Sequence, residues 1–359
     1  MTKQAKEVII GLIFEPQDVD PSNPRKGYTF VPSAVHPDKD EGFLYVYDGT
    51  TWQKQGAATT GGGGPPAGAN AFFVGGDPGS SPFKSTGVRK YIIDTETESA
   101  GADVLDIAVS GACGFESTIK GYSAGGSGDT TFETDIEGLV FAGEATGDIG
   151  VNLSFGRTTV PTGVSGPDFG LIMAGQGSGG TITTIEKLTF TGESISTSSS
   201  VLNQKRKNCY GGESSTKGYA GGGSDDVGDL QHLENIVFST ENVSIISATF
   251  FATVYNNAGA HSSTTDLYWG GGRVPGDTNI IRSMDFATET RTDDSETIAP
   301  SRRDAIGVMS TTRGAWGAGY TGAVYSNAID DYIYLSGTSS TVSTTLGATL
   351  SQPAGFQGG

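Results

Sequence analysis

One motif recurs in this chain about every 48 residues, and no other feature restricts the fold as strongly. An aromatic or aliphatic anchor is followed two positions later by a small residue and three later by glycine. The six anchors are Phe73 (Gly75, Gly76), Tyr122 (Ala124, Gly125), Ile172 (Ala174, Gly175), Tyr219 (Gly221, Gly222), Tyr268 (Gly270, Gly271) and Trp316 (Ala318, Gly319). They stand 49, 50, 47, 49 and 48 residues apart. A second pattern of three spaced apolar residues begins 13 to 15 residues after each anchor. It reads Val88, Tyr91, Ile93; Ile136, Leu139, Phe141; Ile185, Leu188, Phe190; Leu233, Ile236, Phe238; Ile281, Met284, Phe286; Ile329, Tyr332, Tyr334. Three residues beyond its last member stand Glu96, Glu144, Glu193, Glu241 and Glu289, with Gly337 in the sixth unit. These glutamates share a repeat position, so they form a ring rather than a catalytic cluster, and their expected task is to satisfy turn amides.

A fixed period of this length identifies an array of supersecondary units, none of which can bury its own faces alone. Each unit is rich in Thr, Ser, Val, Ile and aromatics, which suit a pleated surface, and has room for four short strands. Solenoid coils repeat at about 20 to 30 residues and propeller blades at about 40 to 50, so the period predicts an all-β, six-bladed β-propeller. The tail supports closure of the ring. Residues Ala305–Ser310 lie 19 to 24 positions after Phe286 and should form an innermost strand. The same count from Tyr334 reaches Pro353–Gly358, one residue before the end. A C-terminal strand there would complete the blade begun near Phe73 and close the ring.

Composition excludes the main alternatives. Glycine contributes 56 of 359 residues and only 17% are charged, which suits neither a helical bundle nor an acidic disordered chain. A net charge of −18 repels phosphate backbones and argues against nucleic acid. There is no apolar run of about 18 residues to span a bilayer. The short apolar run Val8–Phe14, followed by Pro16, is too weak for a secretory signal. Synthesis in a cytoplasm is therefore expected, with Asn152 and Asn242 of the two Asn-x-Ser sequons as ordinary residues. Cys113 and Cys209 read as small apolar fillers of inner strands.

The run from Met284-Asp-Phe-Ala-Thr-Glu-Thr through Ala299-Pro-Ser-Arg-Arg-Asp-Ala to Trp316-Gly-Ala-Gly resembles the Kelch order of strand, turn, Pro-Arg, strand and Gly-Gly. The chain departs from that pattern in lacking a regular late tryptophan; its three are Trp52, Trp269 and Trp316. Near the start, Gly42-Phe-Leu-Tyr-Val-Tyr-Asp-Gly-Thr-Thr-Trp-Gln is a hairpin signal with Asp48-Gly49 at its turn. It resembles phrases of bacteriophage tail-fibre, neck and appendage proteins, as do Gly-, Ser- and Thr-rich propellers with few charges. These resemblances imply a virion protein: residues 1–60 an attachment segment to other virion proteins, 61–69 a Gly/Pro-rich hinge, and 70–359 a Kelch-like propeller.

Residues that could carry chemistry are sparse. His36, His232 and His261 are scattered and read as loop residues, which leaves no expected catalytic group, cofactor or metal. Gly175-Gln-Gly-Ser-Gly-Gly fits a nucleotide fingerprint only if a helix follows, and Thr181 onward reads as strand. Asp225-Asp226 and Asp293-Asp294 lack the spacing of a calcium loop. The loops after each Gly-Gly strand vary most and should emerge on one face. Trp269, Tyr320 and Tyr325 are candidate exposed aromatics for a glycan or protein contact, although an aromatic at a blade position is more often core, and Asp225 and Asp226 are further candidate contact residues. The expected function is a non-enzymatic phage structural protein. The alternatives are a free-standing bacterial lectin or interaction module and, behind it, a propeller enzyme.

Overall fold

The computed structural model describes residues 29–30, 43–47, 52–57, 70–80, 84–128, 132–249, 259–274 and 276–358. The chain divides into two compact units, Met1–Gly61 and Gly62–Gly359. The first contains a three-stranded antiparallel sheet of Thr29–Phe30, Phe43–Tyr47 and Trp52–Ala57, paired in that order. Tyr47 stands opposite Trp52, the register expected of a hairpin turning at Asp48-Gly49. The hinge 61–69 and most of the attachment segment lie outside the described residues.

The second unit is a six-bladed β-propeller of four-stranded antiparallel sheets. From the axis outward, blade 2 runs Cys113–Glu116, Lys120–Ala124, Asp135–Val140, Thr146–Asn152. Blade 3 runs Thr162–Ser165, Phe169–Met173, Thr184–Thr189, Ser194–Val201, and blade 4 Tyr210–Glu213, Lys217–Gly221, His232–Val237, Val243–Thr249. Blade 5 runs Ala260–Ser262, Asp266–Gly270, Ile280–Asp285, Thr290–Thr297, and blade 6 Ile306–Met309, Arg313–Gly317, Ile329–Ile333, Thr338–Thr341. Blade 1 joins the two ends of the unit. Its inner strand Ala354–Gly358 pairs with Asn70–Val74, followed by Val88–Ile92 and Thr97–Ala100. The closure expected from the tail is therefore present.

The core is divided among the seams between blades. Phe73, Tyr91, Ala315 and Ile329 fill the seam between blades 6 and 1; Phe72, Val74, Leu139 and Phe356 fill that between 1 and 2. Comparable clusters occupy the other four, so each sheet buries both faces only because it has two neighbours. Near the axis the blades touch backbone to backbone. The equivalent inner-strand positions hold Gly114, Gly163, Gly211, Ala260, Gly307 and Gly355. A Cβ on Gly114 would fall 2.0 Å from the Gly355 carbonyl oxygen, and one on Gly163 2.2 Å from that of Gly114.

The structure shifts the anchor register by one residue in three units. The second strand of each blade ends in a left-handed small residue followed by a left-handed glycine: Gly75-Gly76, Gly125-Gly126, Ala174-Gly175, Gly222-Gly223, Gly271-Gly272 and Ala318-Gly319. Counting back two positions gives Phe73, Ser123, Ile172, Ala220, Trp269 and Trp316 as the equivalent residues. Tyr122, Tyr219 and Tyr268 therefore stand one position too early, and on a strand one position means the opposite face. Trp269 belongs with Trp316 in a seam, not on the surface.

Candidate functional site

Antiparallel blades send their second-to-third loops and their interblade connections to one face. The loops there are tied to one another. Asp225 closes its own turn, its Oδ1 accepting the N–H groups of Val227 and Gly228 at 2.7 Å each. Asp226 reaches blade 3, where its carboxylate accepts from Thr181 Oγ1 at 2.5 Å and from the Thr181 N–H at 3.2 Å. The Gly228 and Val227 amides hold Asp225, and the Thr181 hydroxyl and amide hold Asp226, below the usual carboxylate range. Lys84 donates to the Gly128 carbonyl, joining blades 1 and 2.

A longer tie runs from blade 5 through blade 6 to blade 1. Arg303 pairs with Asp277 at 2.7 Å and lies over the Tyr320 ring, 4.5 Å from its centroid. Tyr320 meets Tyr325 edge-on at 5.3 Å, and Tyr325 Oη donates to Asp77 Oδ2 at 3.1 Å. Tyr320 and Tyr325 are half-buried and Asp226 is exposed, so four of the five expected contact residues do lie on this face. The fifth does not. Trp269 is 1% exposed and stacked on Tyr210 at 5.4 Å in the seam between blades 4 and 5, because both faces of a second strand are covered by neighbouring blades and the shifted register points Trp269 at blade 4. The large apolar side chains that this face does expose are Val227 at 95%, Val324 at 62% and Phe132 at 37%.

On the opposite face the glutamate ring performs a different task from the one expected. All six positions, Gly337 included, have left-handed backbone, with φ between 46° and 60°. The carboxylates reach back to a cation of the preceding blade: Glu144 to Lys90 at 2.6 Å, Glu193 to Lys120 at 2.7 Å, Glu241 to Lys187 at 2.6 Å, Glu289 to Lys217 at 2.7 Å and Glu96 to Arg313 at 3.0 Å. They are clasps between blades. The cation comes from the first residue of the second strand in blades 2, 4 and 6 and from the third strand in blades 1 and 3, so the cations fall at two repeat positions rather than one.

A second set of clasps is buried. Arg157 pairs with Glu186, Arg206 with Glu234 at 2.6 Å and Arg302 with Asp330 at 2.6 Å, all essentially solvent-free. Each arginine lies in the connection entering its blade. The acid also accepts backbone N–H groups of that connection, as Glu234 does from Asn203 and Gln204 and Asp330 from Ala299. Burial pushes the Glu234 pKa upward, but His232, whose Nε2 lies 3.8 Å away, the Arg206 charge and the Asn203 amide outweigh it and bring the value to about 2.

Around the axis the last residue of each inner strand, or in blade 1 the one before it, contributes to a hydrogen-bonded circle. The Glu116 N–H donates to Ser165 Oγ at 2.9 Å, Glu213 N–H to Ser262 Oγ at 3.0 Å, Ser262 N–H to Met309 Sδ at 3.2 Å and Met309 N–H to Gln357 Oε1 at 2.6 Å. Backbone hydrogen bonds from Gln357 to the Glu116 carboxyl and from Ser165 to the Glu213 carboxyl complete it. An inner strand has a free edge, and this circle caps that edge with side chains. Burial raises Glu116 to about 7 and, with the nearby Glu116 charge, raises Glu213 well above the usual glutamate range. The axial cavity lined by all six inner strands is about 80 Å³, room for a few waters.

The remaining sequence candidates fall as follows. His261 is a buried inner-strand residue and His232 opens a third strand, so neither is a loop residue. His261 Nδ1 lies 3.1 Å from Tyr334 Oη, while Ser263 Oγ caps the Asp266 N–H; His261 is thus not engaged with its neighbouring serines. Gln176–Gly177 and Gly180–Thr181 form a small hairpin leading into a strand, as read from the glycine run. Cys113 and Cys209 are buried and free, with the inner strand of blade 3 between theirs. Among the described residues no three His, Cys, Asp or Glu gather as a metal-binding set. No family model and no curated protein matches the chain.

Neither the axial circle nor the buried arginine clasps was read from the sequence. The available signal was a polar residue closing five of the six inner strands, and Arg157, Arg206 and Arg302 at one repeat position.

Proposed function

We propose that the chain is a non-enzymatic structural protein of a bacteriophage particle, a tail-fibre, appendage or decoration component, made in the bacterial host and carried in the virion. In this reading a Kelch-like propeller presents its loop face for docking, and residues 1–60 attach to other virion proteins. One observation carries the docking assignment: the loops are braced from blade to blade, through Thr181–Asp226 and through Asp277–Arg303–Tyr320–Tyr325–Asp77. A face set in advance loses little conformational entropy when it meets a partner, and Val227 and Val324 at the loop tips supply apolar contact. The particle assignment is supported by the Gly42–Gln53 hairpin phrase and the Gly-, Ser- and Thr-rich composition.

Fractionation of assembled particles tests it. The full chain should co-sediment at fixed stoichiometry, and a Val227→Asp, Val324→Asp variant that melts like the parent should lose its hold on the partner or host surface. A chain that remains entirely in the soluble fraction overturns the particle reading. The half-buried Tyr320–Tyr325 pair favours a second reading, a lectin. Binding to a glycan array by the full chain, lost in Tyr320→Ala and with no particle association, would replace the first reading with it.

A further inference from the structure

Five of the six seams hold an internal cation against the left-handed glutamate, and the seam between blades 5 and 6 does not. At the position of Lys120, Lys217 and Arg313 blade 5 has Asp266. At the position of the glutamate blade 6 has Gly337 (φ 60°), whose added Cβ would rest 3.5 Å from Tyr332 Oη. What gathers there is aromatic and acidic. Tyr268 stacks on Tyr334 at 5.3 Å and meets Tyr332 at 5.0 Å. Tyr332 Oη donates to Asp294, and the charges of Asp266 and Asp294 both act on the Tyr268 hydroxyl. Trp316 and His261 lie beneath, ring centroids 4.4 Å apart, and His261 Nε2 is buried with no hydrogen-bond partner among the described residues. No lysine or arginine stands in an ion pair with Asp266 or Asp294 among the described residues. Next to Tyr334 in the chain, Leu335 is 99% exposed.

We propose that this seam receives a lysine side chain of a partner protein, its ammonium group taking the place that Lys90, Lys120, Lys187, Lys217 and Arg313 fill from within at the other seams. The two carboxylates and the tyrosine hydroxyl oxygens receive the cation, and Leu335 covers the alkyl stem. Charge complementarity extends beyond the seam, since the whole chain carries −18 and draws basic partners. The site lies on the face opposite the loops and does not depend on the docking role proposed for them.

The test is a titration of the isotopically labelled full chain with N-acetyl-lysine methylamide, followed at the Leu335 and Gly337 amides by NMR. Saturable shifts confined to this seam are expected, with none from the norleucine analogue and weaker ones from methylammonium. The Asp266→Lys, Gly337→Glu double variant installs the ion pair of the other seams and should abolish binding while the chain still melts in a cooperative transition. Asp294→Asn keeps an acceptor for Tyr332 and should weaken binding about fivefold, which serves if the double variant fails to fold. Absence of saturable binding, equal response to norleucine or to methylammonium, or undiminished binding by either variant would overturn the proposal.

Discussion

Five glutamates occupy backbone conformations that an L side chain adopts only at a cost of about 1 to 2 kcal/mol. Gly337, in the same conformation, carries no such cost. The glutamates persist through what their carboxylates do, yet a partly exposed ion pair returns only about 0.5 kcal/mol. Glu193→Gly should therefore change stability by less than about 1 kcal/mol, whereas Gly337→Glu alone should lose about 1 kcal/mol, its new carboxylate meeting Asp266 and Asp294. Urea denaturation reads both; a loss of several kcal/mol in Glu193→Gly would show that the clasp is more than a surface pair. The axial glutamates make a pH prediction. An ordinary glutamate titrates at about 4.3, while half-buried Glu116, at the mouth of the axial cavity, is raised to about 7. The folded chain thus holds the proton more tightly, and the stability this provides is complete below about pH 4.3 and lost as pH rises through about 7. The melting temperature should fall from about pH 5 to about pH 8, and a Glu116→Gln, Glu213→Gln variant should show a shallower fall. An unchanged slope would exclude the circle as its source.

At the scale of strands and connections, the buried clasps matter more than the exposed ones. Arg206→Ala leaves Glu234 charged and enclosed, which should cost about 3 to 5 kcal/mol. Lys187→Ala, removing one exposed clasp, should cost under about 1 kcal/mol. Chemical denaturation distinguishes the two, and similar losses would contradict the assignment of connection-pinning to the arginines. Trp269→Ala should cost about 3 to 5 kcal/mol, as expected for a seam residue stacked on Tyr210 and not for an exposed contact residue.

For the whole molecule, the ring is the stabilising unit, because each sheet relies on neighbours to cover both faces. Removing residues 353–359 takes the inner strand from blade 1, uncovers Phe72 and breaks the axial circle at Gln357. The melting temperature should drop by more than about 10 °C and unfolding should broaden as the opened blades separate. A truncated chain that melts like the parent would show that the C-terminal strand does not lock the ring.

Blade number, strand content and ring closure were legible in the sequence because they depend on period and count: six apolar triplets in register, and a tail of the right length after Tyr334. The loop face was legible for the same reason, with Tyr320, Tyr325, Asp225 and Asp226 placed on it. Side-chain direction was not. The turn after each second strand begins with glycine in four blades and alanine in two, so the local motif matched at two offsets in Tyr122, Tyr219 and Tyr268, and only the left-handed pairs in the folded chain distinguished them, turning Trp269 inward. Lysines on alternating strands, arginines in connections and polar residues around an axis meet across distances the linear order does not encode. Closing six sheets about one axis brought them together.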